Sequence, residues 1–253
     1  MQNVKGAQIG KDMEEIRLNK YLASCGICSR RDADKLIEQG VVTVDSIRAV
    51  PGMKVTGQEE ILVRGTKVTG RDKKVVLAYY KPRGVVCTQR DVHAQKIVTE
   101  ELDYPIRVTY AGRLDKDSEG LLLMTNDGAL IDAMMRGANR HEKEYIVKVT
   151  EEWNEEALTH MRQGIYLEEL DAATRPCEIE QIGPKTIRMV LTQGLNRQIR
   201  RMCATQGYEV FSLKRTRVIN IGIENLKPGE YRELTSSEMN SLYEQCGLDS
   251  RNI

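Results

Sequence analysis

The stretch GRLDKDSEGLLLMTNDG, residues 112–128, sets three acids at alternate positions, Asp115, Asp117 and Glu119, behind Arg113 and ahead of Gly120. Two chemistries compete for that spacing. An EF-hand calcium loop wants oxygen ligands at its first, third and fifth positions, a turn glycine at the sixth and a bidentate Glu at the twelfth. Asp115 to Gly120 satisfy the first half, but the twelfth position is Asn126, which has no carboxylate to give. The flank also fails, because Leu121-Leu122-Leu123-Met124-Thr125 is a short apolar run bounded by turn residues and predicts a buried strand rather than a helix. The second reading is a single working carboxylate at the mouth of that strand.

Outward from this loop, the chain predicts an α+β protein of two parts. Its 253 residues, 40% hydrophobic and 30% charged, are enough for one sizeable core and a smaller module. Strands are predicted at 75–80, 85–88, 121–125, 145–149, 178–182, 186–191 and 218–223, with Gly183-Pro184-Lys185 as a hairpin turn. Helices are predicted at 129–135, 154–162, 197–205 and 237–245, capped by Asn154, Asn196 and Ser237. Runs of strands with interspersed helices suggest a largely antiparallel sheet with flanking helices. Ahead of it, RLNKYLAS and the segment opened by Ser29 and Asp32 predict two short helices, followed by strands near 41–44 and 61–63. The division expected is a leader over 1–15, a small domain over 16–65, a polar linker over 66–74, a main domain over 75–247 and a tail over 248–253.

Composition excludes more than it selects. The 38 basic and 37 acidic residues nearly cancel, so any polyanion surface must be local. The N-terminal MQNVKGAQIGKDMEE lacks the apolar core of a signal peptide, and the longest apolar runs, such as 75–80, are strand-sized. A cytoplasmic protein with free thiols and no membrane contact is expected. Cys25-Gly-Ile-Cys28 follows a helix rather than a strand, and the three histidines are well separated, which argues against redox and structural zinc sites alike. The cysteines are expected to pack a helix–helix turn, and no metal site is expected anywhere.

Positive charge gathers in two places. GLNRQIRRMCATQGYEVFSLKRTR, residues 194–217, holds Arg197, Arg200, Arg201, Lys214, Arg215 and Arg217 against one acid, Glu209. Helical spacing puts the first three on one face. A solvated stripe is the ordinary account of such a run, but its density in a charge-balanced chain favours a polyanion partner. The small N-terminal unit adds Arg17, Lys20, Arg30, Arg31 and Lys35, arranged to grip a folded RNA by phosphate and shape.

Five motifs in order resemble the RsuA family of ribosomal RNA pseudouridine synthases. RLNKYLASCGICSRRDADKLIEQGVVTVD resembles an S4 RNA-binding domain, and YYKPRGVVCT the strand-turn-strand near the active site. GRLDKDSEGLLLMTNDG resembles the catalytic motif, HEKEYIVKV the tyrosine-bearing strand and GLNRQIRRM the late basic motif. The closing LKRTRVINIGIENLKPGEYRELT is most similar to the RluF-type enzymes of 23S ribosomal RNA; a structured tRNA or small-subunit rRNA stays open as target.

The resemblance implies a pseudouridine synthase fold behind the S4 domain, and a reaction that breaks a uridine N1–C1′ bond and rejoins the base through C5. No redox change occurs and no group is lost, so neither cofactor, metal nor obligate protein partner is implied. Asp115 is the implied carboxylate, attacking sugar or base or removing a proton. Arg200 is implied to hold it ionised, Tyr145 to stack on the flipped uracil, and Arg113 to hold the nucleotide open. Asp117 and Glu119 are expected to shape the loop by bonding backbone amides or nearby bases. The rival functions are a non-catalytic ribosome-assembly clamp and a calcium-binding regulator.

Overall fold

The computed structural model describes residues 15–70, 72–88 and 96–250. Most of the expected leader, Arg71 and the end of the tail lie outside them. Two compact units emerge, 1–72 and 73–253. Among the described residues no helix is long and apolar enough to cross a membrane.

After a two-residue strand at Ile16–Arg17 that pairs with Lys54–Val55, the first unit carries helices α1 (Leu18–Ser24) and α2 (Arg30–Glu38). Ser29 caps α2 by accepting from the Asp32 amide, as its spacing predicts. Cys25 is buried against Leu18, Leu22 and Ile37, with Cys28 packed beside it, a packing role for both thiols. Strands β1 (Val42–Val44), β2 (Ile47–Arg48), β3 (Ile61–Val63) and β4 (Thr66–Lys67) form an antiparallel sheet in the order β2-β1-β3-β4. The β1–β2 hairpin turns at Asp45 and Ser46, both at positive φ. β4 takes two residues that polarity alone assigns to the linker, because a strand edge needs no apolar side chain to pair its backbone.

The second unit is built on a nine-stranded sheet. Its elements in order are β5 (Val76–Lys81), β6 (Thr109–Ala111), β7 (Glu119–Thr125), α3 (Gly128–Met135), β8 (Lys143–Val149), α4 (Glu155–Gln163), β9 (Glu178–Gly183), β10 (Thr186–Leu191), α5 (Gln198–Thr205), β11 (Val210–Val218), β12 (Tyr231–Glu233) and α6 (Ser236–Gln245). The main path runs β9-β10-β8-β11-β7-β5-β12, with β6 paired to β7. Every pairing among these strands is antiparallel except β7 with β11. All six residues of β5 are buried, because both faces of the sheet are covered there. Val76, Ala78, Leu121 and Leu123 pack with α3 and α6 on one face, while Leu77, Tyr79, Leu122 and Met124 fill the other. Under β8 to β11, Val147, Met189 and Leu213 pack with Leu158 of α4 and Met202 of α5.

Three sequence expectations are corrected here. Residues 85–88 form only a single bridge, Val86 to Ile97, not a strand. The predicted strand 218–223 is instead the nine-residue β11 followed by a tight turn, Ile219 at positive φ, and a short return at Ile221–Gly222. The caps of α5 and α6 also differ. Arg197, left-handed and without a side-chain bond to the helix, precedes α5, and Thr235 forms a capping box with Glu238 on α6.

Candidate active site

The loop between β6 and β7 carries Asp115. Ala111 pairs with Leu123, so β7 overhangs its neighbour and the intervening residues arch over the sheet end. Leu114 is buried and its amide donates to the Cys87 sulfur at 3.5 Å, which anchors the arch inward. The Ser118 amide returns to the Asp115 carbonyl at 3.1 Å, and the Gly84 amide donates to the Lys116 carbonyl at 2.7 Å. The turn of YYKPRGVVCT thus braces the loop directly. Under that turn Lys81 is fully buried, its ammonium donating to the carbonyls of Pro82 and Val85 at 2.8 and 2.9 Å. Burial pulls its pKa down to about 8.

Gly120 lets the arch re-enter the sheet. It sits at φ +111°, and a Cβ there would lie 2.2 Å from the Arg215 carbonyl oxygen. No L side chain fits that approach.

Asp115 and Arg113 line a cavity of about 500 Å³, together with Tyr145, Lys143, Arg197 and Arg215. Asp115 is the only carboxylate among its described lining residues; the other charged lining residues are basic. Tyr145 lies on β8 directly across from Arg215 on β11, so the two side chains share a sheet face. Lys143 shares it by the two-residue period of a strand, and burial followed by the Arg215 charge lowers its pKa. Sequence reasoning missed Lys143, although its place two residues before Tyr145 was the available signal.

Arg200 makes its direct contacts at Asp117, with Asp115 still within electrostatic reach of its guanidinium. It does not line the cavity; its Nε lies 3.3 Å from the Asp117 carboxylate, while Nη1 and Nη2 donate to the carbonyls of Val210 and Asp117. Arg197 binds Asp117 through two nitrogens, at 3.1 and 2.8 Å. These bonds to Arg197, with Arg200 adding, hold the Asp117 carboxyl below the usual range. Glu119 accepts from the Tyr80 hydroxyl at 2.9 Å. Both supporting acids therefore bond side chains, Asp117 with a lesser bond from its own backbone amide, and with those partners they are not presented as a calcium cradle beside Asp115. Asn126, the residue that broke the calcium template, bonds the Val75 amide and the Lys73 carbonyl and anchors the start of β5.

The basic run 194–217 is not a uniform surface. Arg215 is 3% exposed and reaches only the inside of the cavity it lines, so it is not part of an outer RNA-facing stripe. The period-two pattern of a strand puts alternate members of the run inward, and sequence polarity hides this. Lys214 lies over the Tyr80 ring, Arg217 pairs with Glu142 and Glu144, and Arg201 pairs with Glu169. On the first unit, Arg17, Lys20, Arg30, Arg31 and Lys35 are exposed; among the described residues only Lys35 of these five has an ion-pair partner, Asp32.

Comparison with known proteins agrees with this arrangement. Residues 75–205 match the RNA pseudouridylate synthase family and residues 16–61 match the S4 domain. The chain is 42% identical over 229 residues to a dual-specificity RNA pseudouridine synthase, RluF, of Salmonella typhi, covering 90% of this chain and 78% of that protein. It is 38% identical to the ribosomal large subunit pseudouridine synthase B of Bacillus subtilis, over 89% of this chain and 95% of the relative. A crystal structure of a pseudouridylate synthase superposes with a TM-score of 0.67 at 28% identity, covering 90% of this chain and 99% of its own. With an arched loop at the sheet end, a cationic cavity and these relatives in agreement, the chain belongs to the RNA pseudouridylate synthase family and carries an S4 domain ahead of its catalytic fold.

Proposed function

We propose that this enzyme converts a specific uridine of large-subunit 23S ribosomal RNA to pseudouridine in the cytoplasm, with Asp115 as the reacting carboxylate. One observation carries the assignment of Asp115: it is the sole acid among the described residues lining a cavity whose other charged walls are basic. A volume of about 500 Å³ suits one extruded nucleotide, within the roughly 300–1,000 Å³ usual for small-ligand sites. The cations draw in the phosphate backbone, and the Tyr145 ring offers the flipped uracil a face worth roughly 1–3 kcal/mol. Arg113, exposed beside Asp115, is suited to hold the vacated helix position.

In the reaction the N1–C1′ bond breaks, C1′ bonds to C5, the C5 proton leaves and N1 gains one. Asp115 reaches that chemistry either as nucleophile or as base. Arg200 supports it indirectly, by fixing Asp117 two residues away. The exposed cations of the S4 unit are assigned to phosphates of the target RNA. The large-subunit assignment draws on the B-type relative and on the RluF-like closing segment. The dual specificity named for the RluF relative favours a second structured substrate, and tRNA fits that description.

Release of tritium from RNA labelled at uridine C5 tests the proposal, because the C5 hydrogen must leave. Asp115→Asn keeps size and hydrogen bonding but removes the charge, so release should stop while RNA binding persists. A variant that turns over at the wild-type rate removes Asp115 from the chemistry. A wild-type chain that binds ribosomal RNA and releases nothing is the assembly clamp instead.

A further inference from the structure

We propose that Arg215 is the positioning residue of the reactive loop, one buried guanidinium tied to the main chain on both sides of Asp115. The inference rests on Asp115 being the reacting group. Arg215 Nε donates to the Leu121 carbonyl at 2.7 Å and Nη1 to the Arg113 carbonyl at 3.3 Å. Those two carbonyls flank the arch, one before Asp115 and one after it.

The sheet explains why such a tie is needed. β7 and β11 form a parallel pair of only two residue pairs, Lys214 with Glu119 and Arg215 with Gly120. Backbone pairing to β11 therefore ends where the loop begins its return, and the outgoing arm at Arg113 has no ladder of its own. The guanidinium spans that gap. Gly120 brings the loop against the Arg215 main chain at a distance only glycine permits, so main chain and side chain of one residue grip the same arch.

A role confined to packing accounts poorly for a charged group here. Arg215 is 3% exposed, has no carboxylate partner among the described residues, and leaves Nη2 buried without an acceptor. Burying a cation under those terms is costly, and an apolar side chain would fill the same space more cheaply. What an apolar side chain cannot do is hold two carbonyls at fixed separation. A rigid planar fork can, and lysine, with one ammonium, cannot reproduce it.

The test compares Arg215→Lys and Arg215→Met with the full-length wild type. Single-turnover tritium release at saturating RNA, RNA affinity across salt, and thermal unfolding are measured for each. Displacing a reacting group by about 1 Å costs roughly 100-fold in rate, so Arg215→Lys is expected to lose about that factor. Its RNA affinity should stay within about twofold, and the salt dependence of binding should be unchanged, since no phosphate partner is removed. In Arg215→Ala, added guanidinium at concentrations that leave the wild type unaffected should restore part of the rate. A merely structural loss would not respond in that way. If Arg215→Met does not fold, Arg215→Lys and the rescue decide the matter. A lysine variant with a rate within about threefold of wild type, below a 1 Å displacement's effect, overturns the proposal. So does a loss seen only in RNA affinity with a shallower salt dependence, which would make Arg215 a phosphate ligand after all. Failure of the Asp115 assignment is separable, because it would show as turnover persisting in Asp115→Asn.

Discussion

Replacing Asp117 by Asn is the most informative single change, because it should lower stability and rate while leaving RNA binding intact. The substitution keeps the shape of the side chain and removes its charge. The Arg197 pair is half-exposed on both sides, 42% and 38%, and such pairs contribute about 0.2–1 kcal/mol. Arg200 is different: its side chain is 14% exposed, and its Nε faces the Asp117 carboxylate at 3.3 Å as an ion pair without a hydrogen bond, which in that partly screened setting contributes about 1–2 kcal/mol. Its bonds to the Val210 and Asp117 carbonyls remain, so the lower part of that range applies. Together these come to about 2 kcal/mol, or roughly 4–8 °C in the melting temperature of a unit this size.

The sign with pH follows from the lowered Asp117 pKa. The contribution is complete above the ordinary carboxylate range and disappears as pH falls through the native value, so wild type and variant should converge in acid. Asp115 sits two residues away, and loosening the arch should slow single-turnover tritium release by about tenfold. RNA binding should not weaken. Arg197 is released and one negative charge leaves the cavity mouth, so the salt dependence of binding should steepen by up to about one unit. A variant with the wild-type rate and weaker RNA binding would refute this reasoning, because Asp117 would then be touching RNA rather than holding the loop.

Two further predictions test other parts of the molecule. Glu238, pulled down to about 2 first by its bonds from Arg232, closes the capping box of α6. A full shift of that size corresponds to about 3 kcal/mol, and partial exposure reduces it to about 1–2 kcal/mol. Glu238→Gln should therefore melt lower at pH 7, and the difference should fade as pH drops from 4.5 toward 2. An unchanged difference at pH 2 would mean that it does not come from the carboxylate charge. A chain beginning at Lys73 retains all of the second compact unit. It should weaken capture of the RNA far more than the chemical step at saturating RNA, measured as single-turnover rate against RNA concentration. Wild-type affinity with a slow step would give the S4 unit a role in positioning instead.

Much of this protein was legible locally. The apolar run 121–125 reads as a buried strand because it is too short for a helix and is bounded by turn residues. The Gly183-Pro184-Lys185 hairpin, the Ser29 cap and the Asn154 cap follow from turn and cap chemistry that operates within a few residues. Motif order was enough to identify the family. Where local rules compete, they misled. Residues 210–218 read only as part of the basic run 194–217, whose six cations mask a period of two, and so most of the strand that carries Arg215 went unseen.

The sequence by itself determined the two-part α+β organisation, the antiparallel character of most of the sheet, and an acid at the mouth of the buried strand 121–125. Periodicity, turn residues and motif spacing are properties of neighbours along the chain. Only the tertiary structure decided which cation serves which acid. Arg200 could pair with Asp115 or Asp117, and Arg215 could face RNA or the interior, with equal support from spacing. The choice depends on where β11 lies beside β7, how little of those strands is paired, and which carbonyls are left without a partner at the sheet end. Those are relations between residues far apart in the chain, such as the bond from Arg215 to the Arg113 carbonyl, and no local pattern encodes them.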